Sequence, residues 1–504
     1  MMDFPLRLEA LLERAGKWFP QVSIAAREED GALRRSDYAT LRRRARALAA
    51  GLRAHGLAPG DRVATLLWNQ MAHLEAYFGV PMAGGIVHPL NLRLHADQLA
   101  RILNHAGDRF VLLDASLAGL WREIAPQVRV ERVFTVPDEY EALLANHTFA
   151  ESGGPETQGA AMGYTSGTTG EPKGVIYSHR AMVLHAFATA LPDAMNLRQH
   201  DCVMPLVPMF HATAWGIPYT ATLLGCRQVL AGRRLDAETV LDLLAGEQVT
   251  FSAGVAVVWQ AVLEMLERHP GRWRLHPGLR VNLGGAPASE ALFRRFDNQG
   301  IAVNMGWGMT EMTPVGSMNP HWDAAAAPLA SRTRQGRPLP LVEARTAPDG
   351  ELEVRGPWVA GSYVGGADPQ AWTADGWFRT GDVVEFDAQG LMAIVDRHKD
   401  LIRSGGEWIS SVALENALAG CPGVREAAVI AVPHPKWQER PLALVALEDG
   451  GAASPDAWRR QLAQAFPGWQ CPDGFVIVES LPRTATGKLD KRALREQYRD
   501  WSWQ

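Results

Sequence analysis

Cysteine is scarce and scattered. Cys202, Cys226, Cys421 and Cys471 are the only four in 504 residues, and none forms a Cys-x-x-Cys pair. That spacing argues against a structural metal site or a disulfide framework and fits reduced thiols in the cytoplasm. Long apolar runs are missing too, so no transmembrane segment is expected. The most apolar region, residues 249–263, is broken by Ser252, Gly254 and Gln260, which suits a buried strand followed by a helix. Loose contact with membranes or lipid substrates is left open. Basic excess is absent: the net charge is −5, which gives no electrostatic footprint for nucleic acid. No basic tract suggests a membrane-surface patch. Residues 1–15 mix acids and arginines with leucines, the pattern of an amphipathic helix and not of a signal peptide. Internal repeats are absent, and residues 450–454 are too short a small-residue stretch to be a linker.

What is present is a large, ordinary globular composition. Hydrophobic residues make up 47% and charged residues 21%. A chain of 504 residues exceeds one ordinary core, so two or more domains are expected. Strand-like runs at residues 62–68, 85–90 and 109–114 alternate with helical spacing over 71–82 and 96–105. A second series has strands at 201–206, 227–230 and 249–253. Such alternation predicts parallel α/β units. The texture changes after about Gly336. Short strands at 351–356 and 391–395 flank turns at Asp349-Gly350 and Gln389-Gly390 and predict a small β-rich subdomain. Past Lys399 a fresh α+β pattern begins: a helix near Val412, strands at 427–432 and 442–447, and a helix over 455–465.

Residues 164–179 are the most informative stretch. They hold four hydroxyl side chains (Thr165, Ser166, Thr168, Thr169), three glycines (Gly167, Gly170, Gly174) and Lys173. Glycines let backbone approach a ligand, and successive N–H groups with hydroxyls and an ammonium make a nest for a polyphosphate. Composition alone would make this a plain loop. It is not the Walker pattern, because Lys173 is followed by Gly174 and the first spacing is wrong. In its order of residues it resembles the phosphate loop of the adenylate-forming superfamily, which includes acyl-CoA synthetases, peptide-synthetase adenylation domains and luciferases.

Later stretches resemble the same superfamily in the same order, over essentially the whole chain. Pro208–Trp215 resembles its acyl-pocket motif, with His211 beside the substrate carboxylate and Trp215 similar to the gate tryptophan of fatty-acyl members. Gly284–Ala288 resembles the segment past adenine, implying contact from Gly285, Ala286 and Pro287. Gly306–Glu311 resembles the segment joining adenine, carboxylate and magnesium. There Trp307 would offer a face to adenine, Thr310 would bind nucleotide, and Gly308 and Met309 would line the acyl pocket. Glu311 would hold magnesium together with Thr165, in keeping with a cation that takes few carboxylates plus phosphate oxygens. Asp382, in Trp377–Asp382, would accept the ribose hydroxyls, and Arg397 would reach the ribose. Lys488, beside Gly487 in residues 482–488, would clamp the α-phosphate and the carboxylate as a mobile point charge. Catalysis on this reading rests on Lys488, Glu311 and His211, because phosphoryl transfer is mostly positioning and electrostatics.

The resemblance also implies a fold and a division of labour. The fold is α/β: a large N-terminal domain, residues 1–396, made of two α/β sheet subdomains and a β-rich subdomain at about 336–396. A small mobile α+β domain, residues 397–504, follows, with its hinge near Lys399. Gly405 and Gly406 would line a pantetheine tunnel with Glu407 and Trp408. The string Ser404–Ser411 resembles medium- and long-chain fatty acyl-CoA synthetases and methylmercaptopropionate-CoA ligases, as do 307–312 and 435–441. The acid that peptide-synthetase domains use for an amino group is missing after His211, and no carrier domain follows Gln504. The expectation is therefore a cytoplasmic, freestanding ligase of a carboxylic acid, ATP and coenzyme A, dependent on Mg2+, with a homodimer left open. A medium or long aliphatic acid is the first expectation; a short thioether acid, a cyclic or aromatic acid, or a carrier protein as acceptor are the rivals. The compact stretch 387–401 counts against the carrier-loading ligases. A non-catalytic nucleotide sensor is disfavoured by the joint presence of Lys488, Glu311 and Asp382.

Overall fold

A computed structural model describes residues 1–145, 148–149, 153–165, 172–323, 327–366, 368–448, 450–484 and 488–503. Among these residues the strands form four sheets. The first has six strands in the order Arg132–Val136, Asp108–Asp114, Arg62–Leu66, Ile86–Pro89, Gly159–Tyr164 and Gly174–Ser178. Five run parallel and the last turns back antiparallel. The phosphate-loop candidate is therefore the connection of a hairpin at the sheet's edge. Parallel strands are covered on both faces, which is why Arg62–Leu66 and Ile86–Pro89 read as apolar runs without alternation.

The second sheet has nine strands, with a parallel centre of Ala302–Gly308, Arg280–Leu283, Phe251–Gly254, Cys202–Pro205, Arg227–Leu230 and Ser23–Arg27. Antiparallel strands Val315–Met318, Arg337–Pro338 and Leu33–Asp37 close its two edges. Helices Leu8–Trp18, Tyr38–Ala54, Met71–Met82, His179–Ala190 and Ile217–Leu224 contribute to one large core with residues of both sheets. A second core lies on the other face of the nine-stranded sheet, under Ala237–Gly246, Ala256–Arg268 and Glu290–Asn298.

Met71–Met82 is buried at every position, Glu75 included. A carboxylate there needs partners. Arg44 pairs with it at 2.6 Å and the Tyr140 hydroxyl donates to it at 2.7 Å. The helix expected over 1–15 begins later and runs Leu8–Trp18. The reason is local: the Leu6 N–H is given to Glu156 at 2.9 Å and the Leu8 N–H to His179 Nδ1 at 3.2 Å, and Arg7 is extended.

The β-rich part is an antiparallel four-stranded sheet, Glu343–Thr346, Glu351–Arg355, Phe378–Phe386 and Met392–Arg397. The last sheet joins Glu407–Ile409, Ile402–Ser404, Gln438–Leu447, Val424–His434 and Gly474–Val478, with helices Ser411–Ala419, Pro455–Leu462 and Lys491–Gln497. The molecule is a large N-terminal α/β part with a β-rich appendage and a smaller C-terminal α+β part. Among the described residues no helix is long and apolar enough to cross a membrane.

Candidate active site

A cleft of about 880 Å³ opens at the carboxyl ends of the parallel strands Phe251–Gly254, Arg280–Leu283 and Ala302–Gly308. This is where the loops of an open α/β sheet diverge and leave room for a ligand. Its remaining walls come from the four-stranded sheet and from the C-terminal residues around Lys488.

At one end stand Thr165 and Lys173, the described ends of the phosphate-loop candidate. Thr165 N–H donates to the Lys173 carbonyl at 2.9 Å, and Lys173 N–H to Thr165 Oγ1 at 3.3 Å, so the two ends are clasped. Ser166, Gly167, Thr168, Thr169 and Gly170 lie outside the described residues, as does Gly487. The Lys173 ammonium pairs with Asp368 at 2.5 Å and sits 5.0 Å from the ring centroid of Tyr363. The Tyr363 hydroxyl donates to Glu311 Oε1 at 2.7 Å. Glu311 is 5% exposed; burial pushes its carboxyl up, and the Tyr363 bond, Arg397 and Lys173 oppose that. Thr310 lines the cleft beside it and its carbonyl accepts from the Tyr177 hydroxyl at 2.7 Å.

The ribose candidate is held from two sides. Asp382 Oδ2 accepts from the Trp307 indole at 2.7 Å, and Asp382 Oδ1 lies 3.2 Å from Arg397 Nε. Trp307 lines the cleft but is only 7% exposed, with Gly316 and Met312 packed against it. Its polar edge orients Asp382, a role that sequence reading did not give it. Gly285, Ala286 and Pro287 form the adjoining wall.

The end of the cleft at which the sequence places the acid is built on a strained turn. Ala212, Thr213, Ala214, Trp215 and Gly216 have φ of 36°, 43°, 54°, 55° and 73°. For residues other than glycine that region costs roughly 1–2 kcal/mol each, and runs of it are rare. The turn directs the Trp215 indole against Gly284, where an added Cβ would stand 3.1 Å from Cη2. His211, Gly308 and Met309 line the same space. Burial pushes the His211 imidazole down to about 4, with Lys488 and Arg93 adding to the effect, so it is neutral at pH 7. A neutral imidazole can donate one hydrogen bond to a carboxylate without neutralising it.

Lys488 arrives from the C-terminal part. Its Cε lies 3.7 Å from where a Cβ on Gly285 would be, at the junction of the acid and nucleotide ends. Burial, then Arg397, pushes its ammonium down to about 8; Asp382 and Glu311 pull the other way. Its backbone is held by two hydrogen bonds: Thr484 N–H donates to the Lys488 carbonyl at 2.8 Å and Asp490 N–H to that of Pro482 at 2.8 Å. Lys399 also lines the cleft, with its ammonium lowered by burial. Beside it, Asp396 Oδ2 accepts from the Ser411 N–H and hydroxyl, both at 2.6 Å, across the boundary of the two parts, while Asp400 pairs with Arg495 at 2.6 Å within the C-terminal part.

Gly405, Gly406, Glu407 and Trp408 are not brought to the cleft. They form the exposed hairpin between Ile402–Ser404 and Glu407–Ile409, with positive φ at both glycines and Trp408 45% exposed. Tyr363 and Asp368 were missed from the sequence. A tyrosine and an aspartate some fifty residues past Glu311 carry no spacing signal, and only the fold brings them to Glu311 and Lys173. Among the described residues no group of three or more His, Cys, Asp or Glu side chains could hold a metal unaided. One buried carboxylate, Glu311, and one hydroxyl, Thr165, fit a magnesium ion that takes most of its ligands from phosphate oxygens.

Comparison with known proteins agrees with this geometry. Residues 13–364 match the model of AMP-binding enzymes, and residues 413–488 that of the AMP-binding enzyme C-terminal domain. The chain is 45% identical to a long-chain-fatty-acid–CoA ligase of Thermus thermophilus, over 99% of this chain and 97% of that one. It is 40% identical to a 3-methylmercaptopropionyl-CoA ligase of Ruegeria pomeroyi, over 99% and 98%. The solved structure of ATP-bound MatB from Rhodopseudomonas palustris is similar with a TM-score of 0.85 and 26% identity, covering 99% of each chain. A cleft bordered by the edge hairpin, the strained turn and Lys488 thus goes together with full-length similarity, and the chain belongs to the AMP-binding enzyme family as an acyl-CoA ligase.

Proposed function

We propose that this ligase activates an aliphatic acid of medium or greater length, and that Lys488 serves the first half-reaction while the Gly405-Gly406 hairpin serves the second. In the first, a carboxylate oxygen attacks the α-phosphorus of ATP; the bond to the bridging oxygen breaks and pyrophosphate leaves. In the second, the thiol of coenzyme A attacks the acyl carbonyl and AMP leaves with its bonding electrons.

The observation that carries the reading is the site of Lys488, between the acid wall at Gly285 and the nucleotide groups Asp382 and Glu311. A fixed cation there meets the charge that builds on carboxylate and phosphoryl oxygens as they approach. Neutral His211 orients the carboxylate. Asp382, held by Trp307 and Arg397, accepts from the ribose hydroxyls, and Gly285, Ala286 and Pro287 flank the base. Thr165 and Lys173 bind the phosphates that leave. Magnesium, held by Glu311, Thr165 and phosphate oxygens, would neutralise negative charge on the triphosphate. With Lys488 docked, the hairpin at Gly405 lies outside the cleft, so thioester formation requires the C-terminal part to turn about Lys399 and exchange one for the other.

The aliphatic acid is supported by the apolar walls at Trp215, Val255, Met309 and Val315, and by similarity to a ligase named for long-chain fatty acids. The direct test is acid-dependent ATP–pyrophosphate exchange without coenzyme A, followed by thioester formation when it is added. Exchange with no acid, or thioester without adenylate, would contradict the two-step reading.

A further inference from the structure

Asn282 does not suit a pocket for a plain hydrocarbon chain. It lies on Arg280–Leu283, between Phe251–Gly254 and Ala302–Gly308, and pairs with Ala253 and Asn304. Strand alternation sends Val281 and Leu283 into the core beneath the sheet and Asn282 to the opposite face, where it lines the cleft. It is 2% exposed, and its Oδ1 has no hydrogen-bond partner among the described residues.

The fold satisfies its other buried asparagines. Asn69 donates to the Val207 carbonyl at 3.0 Å and accepts from Met209 N–H at 2.7 Å. Asn304 donates to the Asn319 carbonyl and accepts from Met305 N–H at 2.9 Å. Asn319 donates to three carbonyls and accepts from His321 N–H at 3.0 Å. Asn282 is the exception among these four, and it is the one at the cleft.

Its neighbours belong to the acid end. A Cβ on Gly306 would stand 3.6 Å from Asn282 Nδ2 and one on Gly284 would stand 3.1 Å from Trp215 and 3.4 Å from the Gly306 carbonyl. Bare Gly284 and Gly306 border the amide, with Trp215 and Met318 packed against them, and none of these groups bonds to Oδ1. An alkyl chain against this face of the cleft would keep the amide dry and leave Oδ1 unpaired.

We infer that Asn282 is a specificity residue of the acid pocket, and that the acid carries a hydroxyl on its chain that donates to Oδ1 of this amide. The inference rests on the proposed acid-activating site and narrows it from any aliphatic acid to a hydroxylated one. An amide offers two donors and an acceptor, so a hydroxyl, which both gives and takes, is its best complement. A pocket built to bond such a group discriminates against the analogue that lacks it, because the pocket's own polar group is then stranded.

The test is pyrophosphate exchange by the full chain, wild type and Asn282→Leu, over alkanoic acids, their hydroxy and oxo derivatives along the chain, and thioether acids of equal length. Wild type should favour a hydroxy acid over its alkanoic and oxo counterparts by about ten-fold or more in kcat/KM. Asn282→Leu should abolish or invert that preference while its best alkanoic acid is turned over at least as well as by wild type. Wild type preferring plain, oxo or thioether acids at every position overturns the inference, whether or not the variant folds. A preference for hydroxy acids that survives in Asn282→Leu overturns it as well. Absence of exchange with every acid would instead overturn the acid-activating site itself.

Discussion

Lys488 is required to be charged in surroundings that disfavour charge. Burial and the neighbouring Arg397 lower its ammonium to about 8. A lysine lowered in this way is protonated below that value and loses its proton as pH rises through it. In the adenylation half-reaction kcat/KM for ATP should therefore fall above about pH 8. Lys488→Arg should move that limb out of range, since a guanidinium stays charged, while lowering the plateau through its different shape. A pH profile unchanged by Lys488→Arg would assign the limb to another group. Asp368 acts on the opposite end of the cleft. On the proposed function its pair with Lys173 is exchanged for phosphate when ATP binds. The pair is partly exposed and so worth up to about 1 kcal/mol, and Asp368→Asn should lower the KM for ATP by up to about five-fold. An unchanged or higher KM would mean that Lys173 does not contact the nucleotide. The contrast between these two residues marks what a sequence can carry. Lys488 stands in a string of fixed order. Asp368 and Asn282 matter only for what the fold sets beside them, an ammonium in one case and two bare glycines in the other.

At the scale of elements, two pieces hold the site in place at a cost. The left-handed turn 212–216 aims Trp215 at Gly284. Gly216 ends it with φ of 73°, and a Cβ there would meet the His185 ring at 2.6 Å. Gly216→Ala should lower stability by about 2 kcal/mol or more, from strain and overpacking together, and should lower kcat/KM for the acid more than for ATP. Equal losses for both substrates would unlink the turn from the acid pocket. The buried helix Met71–Met82 depends on Glu75 meeting Arg44 and Tyr140. Glu75→Ala should cost about 1–3 kcal/mol, measured by chemical denaturation, because the buried Tyr140 hydroxyl then loses its acceptor while Arg44 keeps its pair with Glu141. Tyr140→Phe should cost nearer 1–2 kcal/mol, as one hydrogen bond to a charged group. Periodicity made Met71–Met82 and Ala96–Ala106 legible as helices, and turn residues marked the hairpins of the four-stranded sheet. The hairpin Ser23–Arg27 with Leu33–Asp37 was not legible. Its parallel partner is Arg227–Leu230, some two hundred residues away, and Leu33–Asp37 is an exposed, charged edge with no apolar alternation.

At the scale of the whole molecule, the proposed function requires one C-terminal part to present two edges in turn. Lys488 occupies the cleft while Gly405 and Gly406 stand exposed on the hairpin, and nothing lies within 4 Å of a Cβ built on Gly406. A side chain at Gly406 therefore has room in this arrangement and would obstruct only the other. Gly406→Ala should leave pyrophosphate exchange intact and slow thioester formation, although its φ of 92° also strains the substituted backbone. The order of motifs along the chain made both edges readable, but not which of them faces the cleft. That depends on contacts such as Asp396 with Ser411, which no local pattern announces. The most direct measurement is the pair of half-reactions in Lys488→Ala: acyl-adenylate formation from acid and ATP, and thioester formation from supplied acyl-adenylate. The account predicts a loss of about two to three orders of magnitude in the first, as for removal of one transition-state donor, with the second near wild type. Equal losses in both would contradict it.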